Sequence, residues 1–361
     1  MSISLNVCLN SRLPNFRGGL GQLHLVKQGG RCKVVKLPNF QLDDDVIAMF
    51  YARAGIKLEA KLLPLFAAPN LIRPKIIQTE GRIDCELEDD KSETGLLLEL
   101  LPGETAADLL ETEGPFEIVT ALKIIRDVAE ALELSHRQRV IHDDLKPDNI
   151  FVVGSLVKKS DFDRIDGFIW SQLLARGYLV EAVAHEGEFY AEIADDFPQL
   201  FESFAWEGKN GLAVFRAIDT KAVLFDFGVA KEIGQKSFGL PTPYYMAPER
   251  ILGRRANIKS EIYALGLTLF ELLTGNRYIN LRETDVLEIA DKENLLAQHQ
   301  AFVTEIEQAN LPFQIKALLR WLTFYNRDEV LYGMENRPYI CFRVREMLEQ
   351  MIKNFVQEAT R

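Results

Sequence analysis

No stretch of this 361-residue chain is long and apolar enough to cross a bilayer; among the longest apolar stretches, 262–273 is broken by Glu271 and too short. Cysteine is scarce. Cys8, Cys32, Cys85 and Cys341 lie far apart with no CxxC pair, which argues against a disulfide frame or a zinc site and for small core residues in a reducing compartment. Basic residues are outnumbered, 42 Lys and Arg against 53 Asp and Glu, for a formal net charge of −11. No polyanion-binding face is expected from that balance, so nucleic acid is excluded as a main partner, whereas a basic protein substrate is compatible with it. Low-complexity tracts and internal repeats are also missing. The first residues, MSISLNVCLNSRLPN, have neither a basic start nor a continuous apolar core, so no secretory leader is expected, and Ser2 stands where myristoylation needs glycine. These absences point to a cytoplasmic chain, or to a host cytosol for an exported one.

What is present is the composition of a folded protein. Apolar residues make up 47%, with 23 Gly and 14 Pro, and the length allows two cores and an extra subdomain. Residues 142–149 read HDDLKPDN, and Asp226-Phe227-Gly228 follows much later. Moving a γ-phosphoryl group is mostly positioning and charge neutralisation. It needs a carboxylate to orient the acceptor hydroxyl and oxygen ligands for a metal on the nucleotide phosphates. Asp144, Asn149 and Asp226 are the right chemical types for those tasks.

At these residues the chain resembles the eukaryotic-like serine/threonine protein kinase family, from about residue 16 to about residue 350. The resemblance implies an α+β, two-lobed fold with ATP and Mg2+ at its site. Residues 1–101 form a small antiparallel-sheet lobe with one helix, 102–361 a larger, mainly helical lobe, and 155–218 an inserted subdomain. Asp144 is implied to direct the hydroxyl, Lys146 to neutralise charge on the transferred group, and Asn149 and Asp226 to ligate the metal. The segment LPTPYYMAPE at 240–249 resembles the family's substrate-binding segment, with Thr242 meeting the catalytic Asp and Lys. Glu249 is implied to pair with Arg337.

In the first lobe, GLGQLHLV at 19–26, the Gly29-Gly30 turn and RCKVVK read as strand, glycine loop, strand, tight turn and third strand. Gly19 and Gly21 let backbone N–H groups approach phosphate oxygens. Lys36 of Val34-Val35-Lys36 matches the phosphate-pairing lysine. Apolar residues at helical spacing from Val46 place Glu59 on a helix interrupted at Gly55, 23 residues after Lys36, where the family puts that lysine's partner. Strands are expected at 82–88 and 95–101. Val26, Val34 and Leu98 (in the gatekeeper position) are implied nucleotide contacts, as is the hinge at Glu99 and Leu101.

In the second lobe, helices are expected at 116–136, 259–275, 312–326 and 339–356, with His136 a packing residue. Three positions depart from the family. His24 replaces a third loop glycine, Asp143 the arginine before the catalytic Asp, and Glu261 an aspartate that anchors the catalytic loop. Asp143 would repel a phosphorylated activation loop, so activity independent of phosphorylation at a site such as Ser237 is expected. The same departures keep open a pseudokinase scaffold. A small-molecule phosphotransferase is the third reading, although such enzymes are not expected to carry Lys146, Thr242 and the APE segment.

Asn149 and Asp226, joined in the family by a short hairpin, are here separated by a long insertion. Residues 155–218 hold Phe168, Trp170, Phe189, Tyr190, Phe204 and Trp206, which is too apolar for disorder. FIWSQLLARGYLVEAV reads as a helix, and GEFYAEI and GLAVFRAI read as strands. Two roles stay open for it, a packed surface excursion or a subdomain that docks a regulator or substrate.

Overall fold

The computed structural model describes residues 4–6, 21–28, 31–39, 45–66, 76–77, 79–86, 92–98, 103–153, 179–185, 188–193, 204–209, 212–217, 221–235, 242–277, 292–324 and 341–359. The chain divides into two compact units, one of residues 1–104 and 151–223, the other of 105–150 and 224–361.

The first unit is built on a five-stranded sheet of β1 (Ser4–Asn6), β2 (Gly21–Gln28), β3 (Arg31–Pro38), β4 (Thr79–Glu86) and β5 (Ser92–Leu98), in the order β1-β4-β5-β3-β2. Every neighbouring pair is antiparallel except β1 with β4. The strands expected at 82–88 and 95–101 both lie about three residues earlier, because β4 and β5 pair from Thr79↔Leu98 out to Glu86↔Ser92. Helix α1 (Val46–Leu62) starts at Asp45, whose carboxylate accepts the Ile47 and Ala48 N–H groups, each at 3.0 Å. It runs unbroken through Gly55, contrary to the expected interruption. Gly55 belongs to the buried stripe Met49, Ala52, Gly55, Ile56, Glu59, Leu62, where packing on the sheet outweighs the propensity cost of glycine.

The insertion contributes two antiparallel hairpins to this unit, Leu179–His185 with Glu188–Ile193 and Phe204–Lys209 with Leu212–Ala217. The strands expected in GEFYAEI and GLAVFRAI are there. LVEAV, expected within a helix, is a strand, paired in register with 188–193; residues 168–178 lie outside the described residues. A short apolar run fits either period, and the partner strand decides.

The second unit is helical: α2 (Ala106–Glu113), α3 (Ile118–Arg137), α4 (Ile258–Thr274), α5 (Lys292–Gln308), α6 (Phe313–Leu322) and α7 (Cys341–Ala359). Leu122, Ile125, Val128 and Leu132 of α3 are buried, and the helix packs on α4 and α7. A capping box between Asn257 and Ser260 opens α4, and Gly275, left-handed at φ 71°, closes it. Helix α4 packs so closely on α6 that a Cβ on Gly266 would lie 2.5 Å from Thr323 Cγ2 and 2.9 Å from Leu322 Cβ. Gly266→Val therefore overpacks this seam and should lower stability by about 1–3 kcal/mol, read as a lower urea midpoint with an unchanged slope.

Candidate active site

In the first unit the sheet carries Lys36 to α1. Alternation along β3 sets Lys36 on the face opposite Val35 and Leu37, and Lys36 Nζ meets Glu59 Oε2 at 2.6 Å with side chains only 8% and 2% exposed. A pair so far out of water is sensitive, because losing either partner strands a buried charge at a cost of about 3–5 kcal/mol. Glycine at 21 is matched to it: a Cβ there would sit 2.8 Å from Lys36 Cε. Val34 and Leu98 are buried and face each other in register. His24 does not occupy a loop tip; it lies within β2, buried, opposite Val35.

The second unit gathers Asp144, Lys146, Asn149 and Thr242. A short turn at Pro147–Asn149 folds the loop back, so that Asn149 Nδ2 donates to the Asp144 carbonyl at 2.7 Å and to Asp144 Oδ2 at 3.0 Å. Thr242 donates its N–H (2.9 Å) and hydroxyl (2.7 Å) to Asp144 Oδ1. Lys146 Nζ lies 3.0 Å from Asp144 Oδ2 and donates to Thr242 Oγ1 at 2.7 Å. One carboxylate is thus aimed by three neighbours.

Asp226 and Phe227 are tied to the same loop through His142. The Phe225 carbonyl can only accept, so His142 Nε2 donates to it at 2.9 Å, and His142 Nδ1 accepts the Asp144 N–H at 3.3 Å; this pattern fixes the tautomer. The His142 ring meets Phe227 edge-to-face, centroids 4.6 Å apart. Asp226 has φ 63°, and its Oδ1 accepts the Gly228 N–H at 3.3 Å. Asp226 offers a carboxylate and Asn149, whose NH2 is turned to Asp144, an amide oxygen. Two hard oxygens suit Mg2+, which takes one or two protein ligands and completes its shell with phosphate and water. Among the described residues no cluster of three or more His, Cys, Asp or Glu is set to hold a metal.

Several participants escaped the sequence reading. Glu261 was not among them: expected at the position that anchors the catalytic loop, it accepts the Asp143 N–H at 2.9 Å, so the extra methylene still reaches the loop backbone. Its other oxygen bonds His136, whose Nδ1 lies 3.5 Å from the buried thiol of Cys341. His136, expected only to pack, is a polar link between α3, α4 and α7. Burial pushes the Glu261 carboxyl up, but the His136 hydrogen bond and charge and the Asp143 N–H outweigh it and hold it below the ordinary value. Burial pushes the Cys341 thiol well up, and Glu261 and Glu133 add to that. Asp143 is paired with Lys231 and with Arg250, neither of which was singled out; basic residues at both ends of the 226–250 segment, opposite an acid where an arginine is expected, were the available signal.

Gly19, Glu99, Leu101, Ser237 and Arg337 lie outside the described residues, as does the side chain of Val26, so the Glu249–Arg337 pairing does too; Glu249 itself is buried.

Comparison with known proteins gives this constellation its context. The chain is similar to the probable serine/threonine-protein kinase PknB of Lactococcus lactis, 24% identical over 72% of this chain and 30% of that protein. It is also similar to the serine/threonine-protein kinase pkn2 of Myxococcus xanthus, 25% identical over 73% of this chain and 24% of that protein. A third relative, the serine/threonine-protein kinase PknE of Mycobacterium tuberculosis, is 26% identical over 72% of this chain and 33% of that protein. The chain thus spans about a third or less of the length of these relatives. The family model for the protein kinase domain matches residues 28–168 and 215–354, and the unmatched stretch between falls inside the expected insertion. Because that match takes in most of the chain, on both sides of the insertion, this protein belongs to the protein kinase family.

Proposed function

We propose that the chain transfers the γ-phosphoryl of Mg-ATP to serine or threonine hydroxyls of a protein substrate, and that it does so without phosphorylation of its activation segment. The observation that carries this reading is the orientation of Asp144, whose two carboxylate oxygens are held by Thr242, Lys146 and Asn149. A carboxylate fixed in this way accepts a hydrogen bond from an incoming hydroxyl without reorganising, and takes its proton as the hydroxyl oxygen bonds to the γ-phosphorus and the bond from that phosphorus to the β,γ-bridging oxygen breaks, releasing ADP. Lys146 places a cation where charge develops on the transferred group. Thr242 shapes the acceptor side. Lys36, steadied by Glu59, neutralises the nucleotide phosphates, and Gly19 and Gly21 give them backbone N–H groups. Val26, Val34, Leu98, Glu99 and Leu101 receive the base. Asp226 and Asn149 would hold magnesium, which would offset the negative charge of the nucleotide phosphates.

Independence from phosphorylation is supported by Asp143, an anion already seated between Lys231 and Arg250. A net charge of −11 favours a basic substrate, by steering more than by contact. Residues 155–218, which contain two antiparallel hairpins, are read as a docking subdomain for a regulator or substrate.

Three outcomes are expected. With radiolabelled ATP and a mixed protein acceptor, Asp144→Ala should lower incorporation by about 10²–10⁴-fold while the protein stays folded; label appearing only on small molecules, or none with wild type, would count against protein phosphorylation. Phosphatase-treated wild type and Ser237→Ala should keep their rates within about twofold, checked by mass spectrometry of the active protein; a collapse of either rate removes the phosphorylation-independent reading. Deleting 155–218 should leave the rate on a short peptide and lower that on the protein acceptor, since docking adds binding energy remote from the reacting atoms; no change in either rate removes the docking role.

A further inference from the structure

Asp143 holds an uncommon backbone conformation for a residue with a side chain, φ 64°. Such a conformation persists when its surroundings over-determine it. Here the N–H is given to Glu261 Oε1 at 2.9 Å. The carboxylate bonds Lys231 Nζ, and Arg250 donates one terminal nitrogen to both of its oxygens at 3.0 and 2.9 Å. The three side chains are 6%, 5% and 5% exposed, so solvent screens these charges little.

The places these cations come from give the cluster its significance. Lys231 lies in the two-residue strand 231–232, paired with Val140–Ile141 just before the catalytic loop. Arg250 lies in the single turn Pro248–Ile251 that ends the substrate-binding segment, with its other terminal nitrogen on the Arg254 carbonyl. Between them, Thr242 is bonded to Asp144, the next residue after Asp143. Two consecutive aspartates therefore hold the segment at its beginning, its middle and its end.

We propose that Asp143 is a positioning residue whose carboxylate, clamped between Lys231 and Arg250, registers both ends of the 231–250 segment on the catalytic loop so that Thr242 stays on Asp144. A phosphorylated activation segment achieves such ordering when an added phosphate pairs with basic side chains. In this chain the anion is encoded, and it sits on the catalytic loop itself. Burial pulls the Lys231 ammonium below its ordinary value while Asp143 pulls it back up and Arg250 opposes it, so losing the carboxylate sets two neighbouring cations against each other. This inference rests on the proposed kinase activity, and its test includes a readout that needs none.

The full-length chain would be compared with Asp143→Asn, Lys231→Met and the double variant. Asparagine tolerates the left-handed conformation, so the first change isolates charge. With myelin basic protein as acceptor, Asp143→Asn should lower kcat at least tenfold and move the KM for ATP less than twofold. Adding Lys231→Met should restore at least threefold of that loss by removing one of the opposed cations. Hydrogen exchange should speed up together at 231–235 and 248–254 in Asp143→Asn, with α4 still protected. If Asp143→Asn does not fold, Lys231→Met alone should speed exchange at 231–235 and reduce kcat. The proposal is overturned by a kcat within twofold of wild type, by losses that simply add in the double variant, or by unchanged exchange at either end. A wild type with no transfer to any acceptor would defeat the kinase reading alone, and the exchange data would still decide the clamp.

Discussion

The catalytic loop depends on one buried acid, Glu261. Its carboxylate takes the Asp143 N–H with one oxygen and His136 with the other, and the left-handed turn at Asp143 follows from that tether. Removing a carboxylate from water is costly, and the cost is met by hydrogen bonds to its charged form. Helix α4 helps by placing Glu261 in its first turn, where the aligned peptide dipoles favour a negative charge. Because His136 comes from α3 and Cys341 from α7, the loop is referenced to three helices at once.

What could be read from the sequence alone divides along physical lines. The Lys36–Glu59 pair was legible because the helical apolar pattern puts Glu59 on a helix and the family resemblance implies the lysine's partner there. Asp144, Lys146, Asn149 and Thr242 were legible as a set because their chemistry is compressed into two short segments. The partners of Asp143 were not, since Lys231 and Arg250 lie 88 and 107 positions away and only the folded backbone selects them from many basic residues. Propensity misled at Gly55 and at Leu179–His185, where tertiary contact and strand pairing overrode the local signal. The place of His24 within a strand follows from the register of β2 on β3, which no residue count discloses.

Buried ionisable side chains in the second unit are grouped. Tyr245 donates to Glu271 at 2.5 Å and Arg277 joins the same carboxylate at 3.1 Å, while burial raises Glu271 above its usual range. Like the Asp143 group, this cluster joins the 242–250 stretch to α4. Ionic contacts of this kind add less net stability than specificity of arrangement, since each is offset by the water its members lose.

The root of the insertion lies between the two proposed metal ligands. There the Phe225 N–H bonds the Asn149 carbonyl at 3.1 Å, and Ile150–Val153 and Lys221–Leu224 run as neighbours in one sheet. Closing a loop costs entropy that grows only with the logarithm of its length. With its two stems stitched at the base, the stretch between Val153 and Lys221 can lengthen or shorten without altering the spacing of Asn149 and Asp226. Evolution thus has a splice point where whole modules are exchangeable beside the chemistry.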